Sequence, residues 1–310
     1  MIAVLEELLE TDAAGDPMGR KRRWCRRSTR SLSEELAEKG MPMCPNSVGK
    51  MLKVAGFSLR CCRKSIAETK HPDRDRQFRI IAEQRKRFED LQQPIISVDT
   101  KKRELVGNFS NKGQRYRREP DKTLSHDFPS YAEGVAIPYG IYEVLTNLGT
   151  VVVGTSYDTP EFAVDAIRTW LATSGFDRYG AIRKLLIFAD TGGSNGAHPR
   201  LWKHGLYHSI SKVYGIDITV CHYPSGASKW NPVEHRLFSQ VSSNWQGEPL
   251  RSHELILGFI GSTKTTTGLR VQAVLNDKQY QRGIRISDSQ MRTVKMTSGD
   301  ALSNWNYTIG

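Results

Sequence analysis

The chain has 310 residues, 25% of them charged, with 45 Lys and Arg against 33 Asp and Glu and a formal net charge of +12. That length accommodates one large domain and a small one, each with its own core, and excludes a disulfide-stapled miniature scaffold. Five cysteines without a C-x-x-C pair or a signal sequence exclude a zinc finger and a disulfide framework, and no apolar run approaches the roughly 20 residues of a membrane helix, so a soluble protein of a reduced cytosol is expected.

Residues 1–19 carry acids and no Lys or Arg, whereas Arg20-Lys21-Arg22-Arg23 and Arg26-Arg27 open a basic stretch that reaches Arg87. Such a block points to nucleic acid, although a solvated patch has the same composition. Thr29 to Lys39 places Leu32, Leu36 and Ala37 at helical spacing before Gly40, and Pro45-Asn46-Ser47 starts a second helix with Val48, Met51, Leu52 and Ala55 on one face before Gly56. Two short helices in a basic context suggest a helix-turn-helix whose second helix turns Asn46, Lys50 and Lys53 outward toward a major groove. His71 to Gln92 reads as a connecting helix with Phe78, Ile81, Ala82, Arg85 and Phe88 on its inner side.

From Pro94 onward strands and helices alternate, the pattern of an α/β layer. Strands are expected at 94–99, 150–157, 185–190 and 217–223, and helices at 160–171, 199–214 and 231–245; Thr159 caps the first helix, and residues 107–147 hold antiparallel strands and a loop. Asp99 and Asp190 close two of these strands. Glu234 lies on the same helical face as Leu237, Phe238, Val241 and Trp245, so an acid is aimed at the core and needs a cation. An Asp at a strand end is commonly a turn former, but three acids separated by 91 and 44 residues on three core elements outline a site for hard divalent ions. Mg²⁺ is the natural ion, Mn²⁺ a substitute, and two such ions suit in-line phosphoryl transfer.

Lys101 and Lys102 beside Asp99, and Lys229 and Trp230 ahead of Glu234, are placed to meet phosphates and bases. The turn from Asp190 through Gly192-Gly193-Ser194-Asn195-Gly196 is a flexible segment whose backbone can approach phosphate, and Asn231 reads as a helix cap. Cys221 and His222 are neighbours on a strand and face opposite ways, which argues against a thiol nucleophile. His235 points away from Glu234 around its helix, and His126 stays without a role.

These residues carry a resemblance. Ser28-Thr29-Arg30-Ser31-Leu32, His71-Pro72-Asp73-Arg74-Asp75, Pro94 to Phe109, His126-Asp127-Phe128-Pro129, Ala136-Ile137-Pro138-Tyr139-Gly140, the Gly192–Gly196 turn, Ser228-Lys229-Trp230-Asn231, Glu234-His235-Arg236-Leu237-Phe238 and Asn304-Trp305-Asn306-Tyr307-Thr308-Ile309 resemble the DDE transposases of ISAzo-type insertion sequences, the Rhodopirellula transposase family, over nearly everything after Asp16. Thr191 stands where the family has Gly, and the family usually extends further upstream than Met1. The resemblance implies an RNase H-like, DDE integrase-type α/β fold, a mixed five-stranded sheet flanked by helices behind a small helix-turn-helix region. Asp99 would lie on the first strand, Asp190 after the fourth and Glu234 on the next helix.

The expected divisions are an acidic then basic segment at 1–27, the helix-turn-helix at 28–70, the connecting helix at 71–93, the catalytic domain at 94–250 and a packed C-terminal extension at 251–310. The expected activity is metal-dependent cleavage of element ends and joining of the 3′-hydroxyl to target DNA, by a homo-oligomer on double-stranded DNA in the cytoplasm, associated with the nucleoid and not with membrane. An RNase H-like nuclease that does not join strands, or an inactive DNA-binding remnant, are the alternatives.

Overall fold

The structure, a computed structural model, describes residues 2–12, 14–15, 23–24, 27–59, 71–298 and 302–310. Most of the basic cluster around Arg20 to Arg26, and Cys25, Cys61 and Cys62, lie outside the described residues. The chain divides into two units, residues 1–66 and 67–310.

The first unit holds helices α1 (Ile2–Asp12), α2 (Thr29–Glu38) and α3 (Pro45–Val54), with a two-strand ribbon of β1 (Ala14–Gly15) and β2 (Arg23–Trp24). Ser28 caps α2, its hydroxyl accepting from the Ser31 N–H at 3.0 Å, and Pro45 starts α3, where its missing N–H costs nothing. Leu5, Leu8 and Leu9 pack with Leu32, Leu36 and Val48 in a small core. Asn46, Lys50 and Lys53 recur at i, i+4 and i+7 on the exposed side of α3.

In the second unit α4 (Arg74–Asp90) leads into β3 (Ile95–Thr100), β4 (Glu104–Val106), β5 (Gly134–Glu143) and β6 (Leu148–Gly154). Then follow α5 (Pro160–Trp170), α6 (Phe176–Tyr179), β7 (Lys184–Ala189), α7 (Arg200–Leu206), α8 (Lys212–Tyr214), β8 (Asp217–His222), α9 (Ser239–Trp245), α10 (His253–Gly261), β9 (Arg270–Asn276), α11 (Asp288–Met291), β10 (Met296–Ser298) and β11 (Asn306–Ile309). Wide π-type turns at Leu171–Gly175, Tyr207–Ser211 and Val233–Phe238 interrupt or begin the longer helices.

The sheet runs β10-β11-β8-β7-β3-β5-β6-β9. β3 is central: β5 pairs with it antiparallel and β6 with β5 antiparallel, while β7 and β8 continue parallel on its other side. That is the RNase H-like order, a meander on one flank of the first strand and parallel strands on the other. The five expected strands are extended by β9, parallel to β6, and by β11 and β10 beyond β8. Residues 251–310 therefore supply both edges of the sheet.

Alternation along β3 sorts its side chains. Ile96 and Val98 join the core beneath α5 and α7 with Phe162, Trp170 and Trp202, whereas Ile95, Ser97 and Asp99 face the other layer. That layer contains α4, the helix begun by Val233–Phe238, and α10. On α4 the buried residues are Gln77, Ile81 and Phe88, while Ala82 and Arg85, read from sequence as inward, are exposed. Gln77 can be buried because its amide pairs reciprocally with that of Asn306 at 2.9 and 2.7 Å.

Two glycines let the Glu234 helix lie close to the sheet. Gly140 pairs with Asp99 across β5 and β3, and a Cβ there would stand 2.6 Å from Phe238 and 2.9 Å from Val233. Gly149 on β6 meets Leu237 in the same way at 2.6 Å. Gly140→Val should therefore overpack the interface and cost about 1–3 kcal/mol, read as a lowered urea midpoint. Gly258→Ala, in an exposed turn of α10 with nothing within 4 Å, should hold or raise that midpoint.

Candidate active site

Because β3 and β7 are parallel neighbours, their C-terminal ends emerge at the same rim of the sheet. Asp99 is the fifth residue of β3, and Asp190 directly follows β7. Glu234 lies in the wide first turn of the helix seated on Gly140, the glycine opposite Asp99. Sheet order, strand direction and the glycine floor together bring the three acids to one place.

Hydrogen bonds fix the two aspartates. The Asn231 amide donates to Asp190 Oδ1 at 3.1 Å and to the Val98 carbonyl at 3.3 Å. Ser97 donates to Asn231 Oδ1, and its oxygen accepts from the Val233 N–H at 3.0 Å. Asn231 is thus no helix cap. Ser97 takes that role from the adjacent strand, which frees the asparagine to tie β3, β7 and the helix together. The backbone N–H of Thr100 donates to Asp99 Oδ1 at 2.8 Å, and His222 Nδ1 meets the Asp190 carbonyl at 2.9 Å.

The electrostatics are those of gathered like charges. The Asp99 carboxyl is pushed up to about 8, first by burial and then by the Asp190 charge; the Thr100 N–H opposes this, while the charge of Glu234 and its hydrogen bond add to it. Asp190 is also raised by burial and by Glu234, and is drawn back by the Asn231 amide. Among the described residues no Lys or Arg forms an ion pair with any of the three. Glu143, at the far end of β5 and 1% exposed, shows how this fold neutralises an acid kept for structure: Arg178 pairs with it, and the Trp170 indole, the Tyr179 hydroxyl and the Thr146 hydroxyl donate to it. No such partner answers the trio among the described residues. The trio's donors are all carboxylate oxygens, the type a hard divalent ion takes, and among the described residues no group of three His, Cys, Asp or Glu is already arranged to hold a metal ion.

Over residues 4–310 the sequence matches the family described as "Rhodopirellula transposase DDE domain". The chain belongs to that family. It is a DDE transposase, a polynucleotidyl transferase encoded by an insertion sequence, and its family works with divalent metal. Solved structures with a similar chain course include a Mos1 transposase paired-end complex with left transposon end, at 13% identity and TM-score 0.41 over 84% of this chain and 69% of that one. A Mos1 mariner paired end complex with Mn shares 14% identity at TM-score 0.43, over 84% and 70%. No curated protein matches the sequence.

Around the transposase trio, the other residues singled out from sequence divide into free and engaged. Lys102 and Lys229 are exposed, and Trp230 is 53% exposed, its edge against Phe78 and the Lys229 ammonium 5.5 Å from its ring. Lys101 is engaged: its ammonium pairs with Glu104 at 2.6 Å and lies 4.8 Å from the Trp245 ring. His235 contacts the Lys229 carbonyl, and His126 packs on Phe128. The turn after Asp190 is folded on itself and not open to phosphate along its length, since Ser194 and Asn195 are buried and a Cβ at Gly196 would stand 2.7 Å from the Thr191 carbonyl. Thr191 braces it, donating to the Tyr223 carbonyl at 3.0 Å. Cys221 is buried and its thiol pushed up to about 12, an inert core residue.

The transposase residues that sequence reasoning missed are Ser97, Asn231 as a bridge, Gly140 and His222. Only the Asn231-to-Glu234 spacing carried a local signal, and it read as a cap. Since the trio is held together against its own repulsion, Asp99→Asn should raise the stability of the protein in EDTA by about 0.5–2 kcal/mol. Thermal melts with and without Mn²⁺ would check this, the variant losing the stabilisation that the ion gives its parent.

Proposed function

We propose that Asp99, Asp190 and Glu234 are the metal ligands and catalytic residues of a reaction that first cleaves the ends of the element and then joins them to target DNA. In the first step a water oxygen attacks the scissile phosphorus and the P–O3′ bond breaks, leaving a 3′-hydroxyl on the element and a 5′-phosphate on the flank. In the second step that 3′-oxygen attacks a target phosphodiester, its proton is lost, and the target's own 3′-oxygen leaves. No covalent enzyme intermediate is required. The observation that carries this reading is the convergence of three acids, on three elements, with no cationic partner among the described residues. Mg²⁺, with Mn²⁺ as substitute, is the ion, and two of them would sharpen the attacking oxygen and stabilise the leaving one.

The residues of the chain do the rest. Asn231, braced by Ser97, holds Asp190 in place, which limits its reorganisation as charge develops. Lys102 and Lys229 hold phosphates, and Trp230 offers a face for stacking. Lys101 reaches a phosphate only by leaving Glu104. In the first unit, the exposed row of Asn46, Lys50 and Lys53 on α3 reads the element end as the second helix of a helix-turn-helix. The working form is a homo-oligomer on double-stranded DNA, element ends and target together, associated with the nucleoid.

Asp99→Ala and Glu234→Gln should each abolish Mg²⁺-dependent nicking of an element-end duplex while retaining its binding in gel-shift assays; a fully active variant of either kind overturns the assignment. Strand-transfer products on a supercoiled target separate a transposase from a hydrolytic nuclease. Replacing Lys50 and Lys53 together by Ala should weaken end binding and lower its salt slope by about two, measured by fluorescence anisotropy across a salt series.

A further inference from the structure

The segment 304–309 carries part of the family resemblance, yet nothing in the reaction uses it. In the fold it becomes β11, antiparallel to β8, and its residues engage the end of β8 one after another. The Trp305 carbonyl accepts from the His222 N–H at 2.9 Å, and Asn306 pairs with Gln77, whose amide also donates to the His222 carbonyl at 2.8 Å. Tyr307 reaches the His222 side chain, its hydroxyl 3.0 Å from Nε2.

The direction of this chain of bonds follows from donor chemistry. An indole N–H can only donate, and Trp202 Nε1 points at the Tyr307 oxygen at 3.0 Å. The Tyr307 proton is therefore free to go to His222 Nε2. At the other end a main-chain carbonyl can only accept, so His222 Nδ1 carries the hydrogen directed at the Asp190 oxygen at 2.9 Å. All three rings are buried, Trp202 and His222 completely and Tyr307 at 2% exposure. Burial also holds the imidazole down to about 4, in keeping with one proton on the ring. The tautomer is thus specified from both sides, the arrangement by which a fixed ring aims its partner.

We propose that Tyr307 is a positioning residue for Asp190: through His222 it fixes the main-chain carbonyl of that acid, and so the direction from which its carboxylate enters the metal site. This rests on the reading of Asp190 as a metal ligand. The Asn231 amide holds the carboxylate and the His222 imidazole holds the backbone behind it, so the acid is gripped at two points. A dry hydrogen-bond line through three ring side chains is a costly way to fill a core that aliphatic residues would fill equally well. Its endpoint on Asp190 gives it a purpose.

The test uses the full chain, freed of metal, with Mn²⁺ as the probe, and electron paramagnetic resonance of free Mn²⁺ as a readout independent of catalysis. Tyr307→Phe, which keeps the ring and removes only the hydroxyl, should raise the Mn²⁺ dissociation constant about tenfold, while nicking at saturating Mn²⁺ returns to near the parent rate. Thr308→Val is the control. Thr308 lies next to Tyr307 on β11, and its loss breaks a 3.1 Å hydroxyl pair with Thr219 on β8, which should leave the Mn²⁺ constant unchanged even where it lowers the melting temperature. Unchanged Mn²⁺ affinity in Tyr307→Phe, with the parent binding the ion, overturns the positioning role alone, as does equal weakening by Thr308→Val. A parent that binds Mn²⁺ no better than Asp190→Asn overturns the metal-site reading itself, and the positioning role with it.

Discussion

Like charges held close together on an apolar floor set the terms for the second unit. Ionised together, Asp99, Asp190 and Glu234 would repel one another, and burial adds to the cost of ionising the two aspartates. The fold must therefore hold them by something other than their own attraction. It does so with the packing of a helix on two glycines, where Phe238, Val233 and Leu237 occupy space that any side chain at 140 or 149 would fill. Hydrophobic burial on that face, roughly 25 cal/mol for each Å² removed from water, works against the electrostatic strain at its end.

The wide turn at Val233–Phe238 belongs to the same constraint. A regular α-helical start would carry its first residues around the axis in steps of about 100°, whereas a π-type turn widens the spiral and changes which residues face the sheet. Here it keeps Val233, Leu237 and Phe238 buried while Glu234 stays partly exposed at the rim. Such turns recur twice more, after α5 and α7, where they cost helical hydrogen bonding without serving a carboxylate. The contrast with Glu143 shows two ways in which this protein buries an acid: Glu143 is answered by Arg178, whereas the Asp99 carboxyl is pushed up to about 8.

Much of this was legible because strands and helices here obey their periods. The apolar runs ending at Asp99 and Asp190, and the stripe Leu237-Phe238-Val241-Trp245, encode element type and facing directly, so the sequence places the three acids at the ends of core elements. What escaped was whatever depended on partners distant in sequence. Asn231 has the local setting of a cap, and only the presence of Ser97 from a strand 134 residues earlier displaces it from that role. Gln77 looks too polar for the inner face of α4 until Asn306, 229 residues away, supplies its complement. Lys101 reads as a free cation because Trp245, 144 residues on, is not visibly its neighbour, although Glu104 three residues away is. Gly140 looks like any strand glycine until the helix above it is known.

The sheet is finished at both margins by residues far along the chain, β9 beside β6 and β11 beside β8. Translation delivers residues 95–222 before residues 270–309, so β6 and β8 are bare edges, and His222 lacks its phenol, until those later residues join the sheet. Bare edges invite pairing with other chains. A chain interrupted just before residue 270 would therefore keep all three acids while leaving the edges of β6 and β8 uncovered.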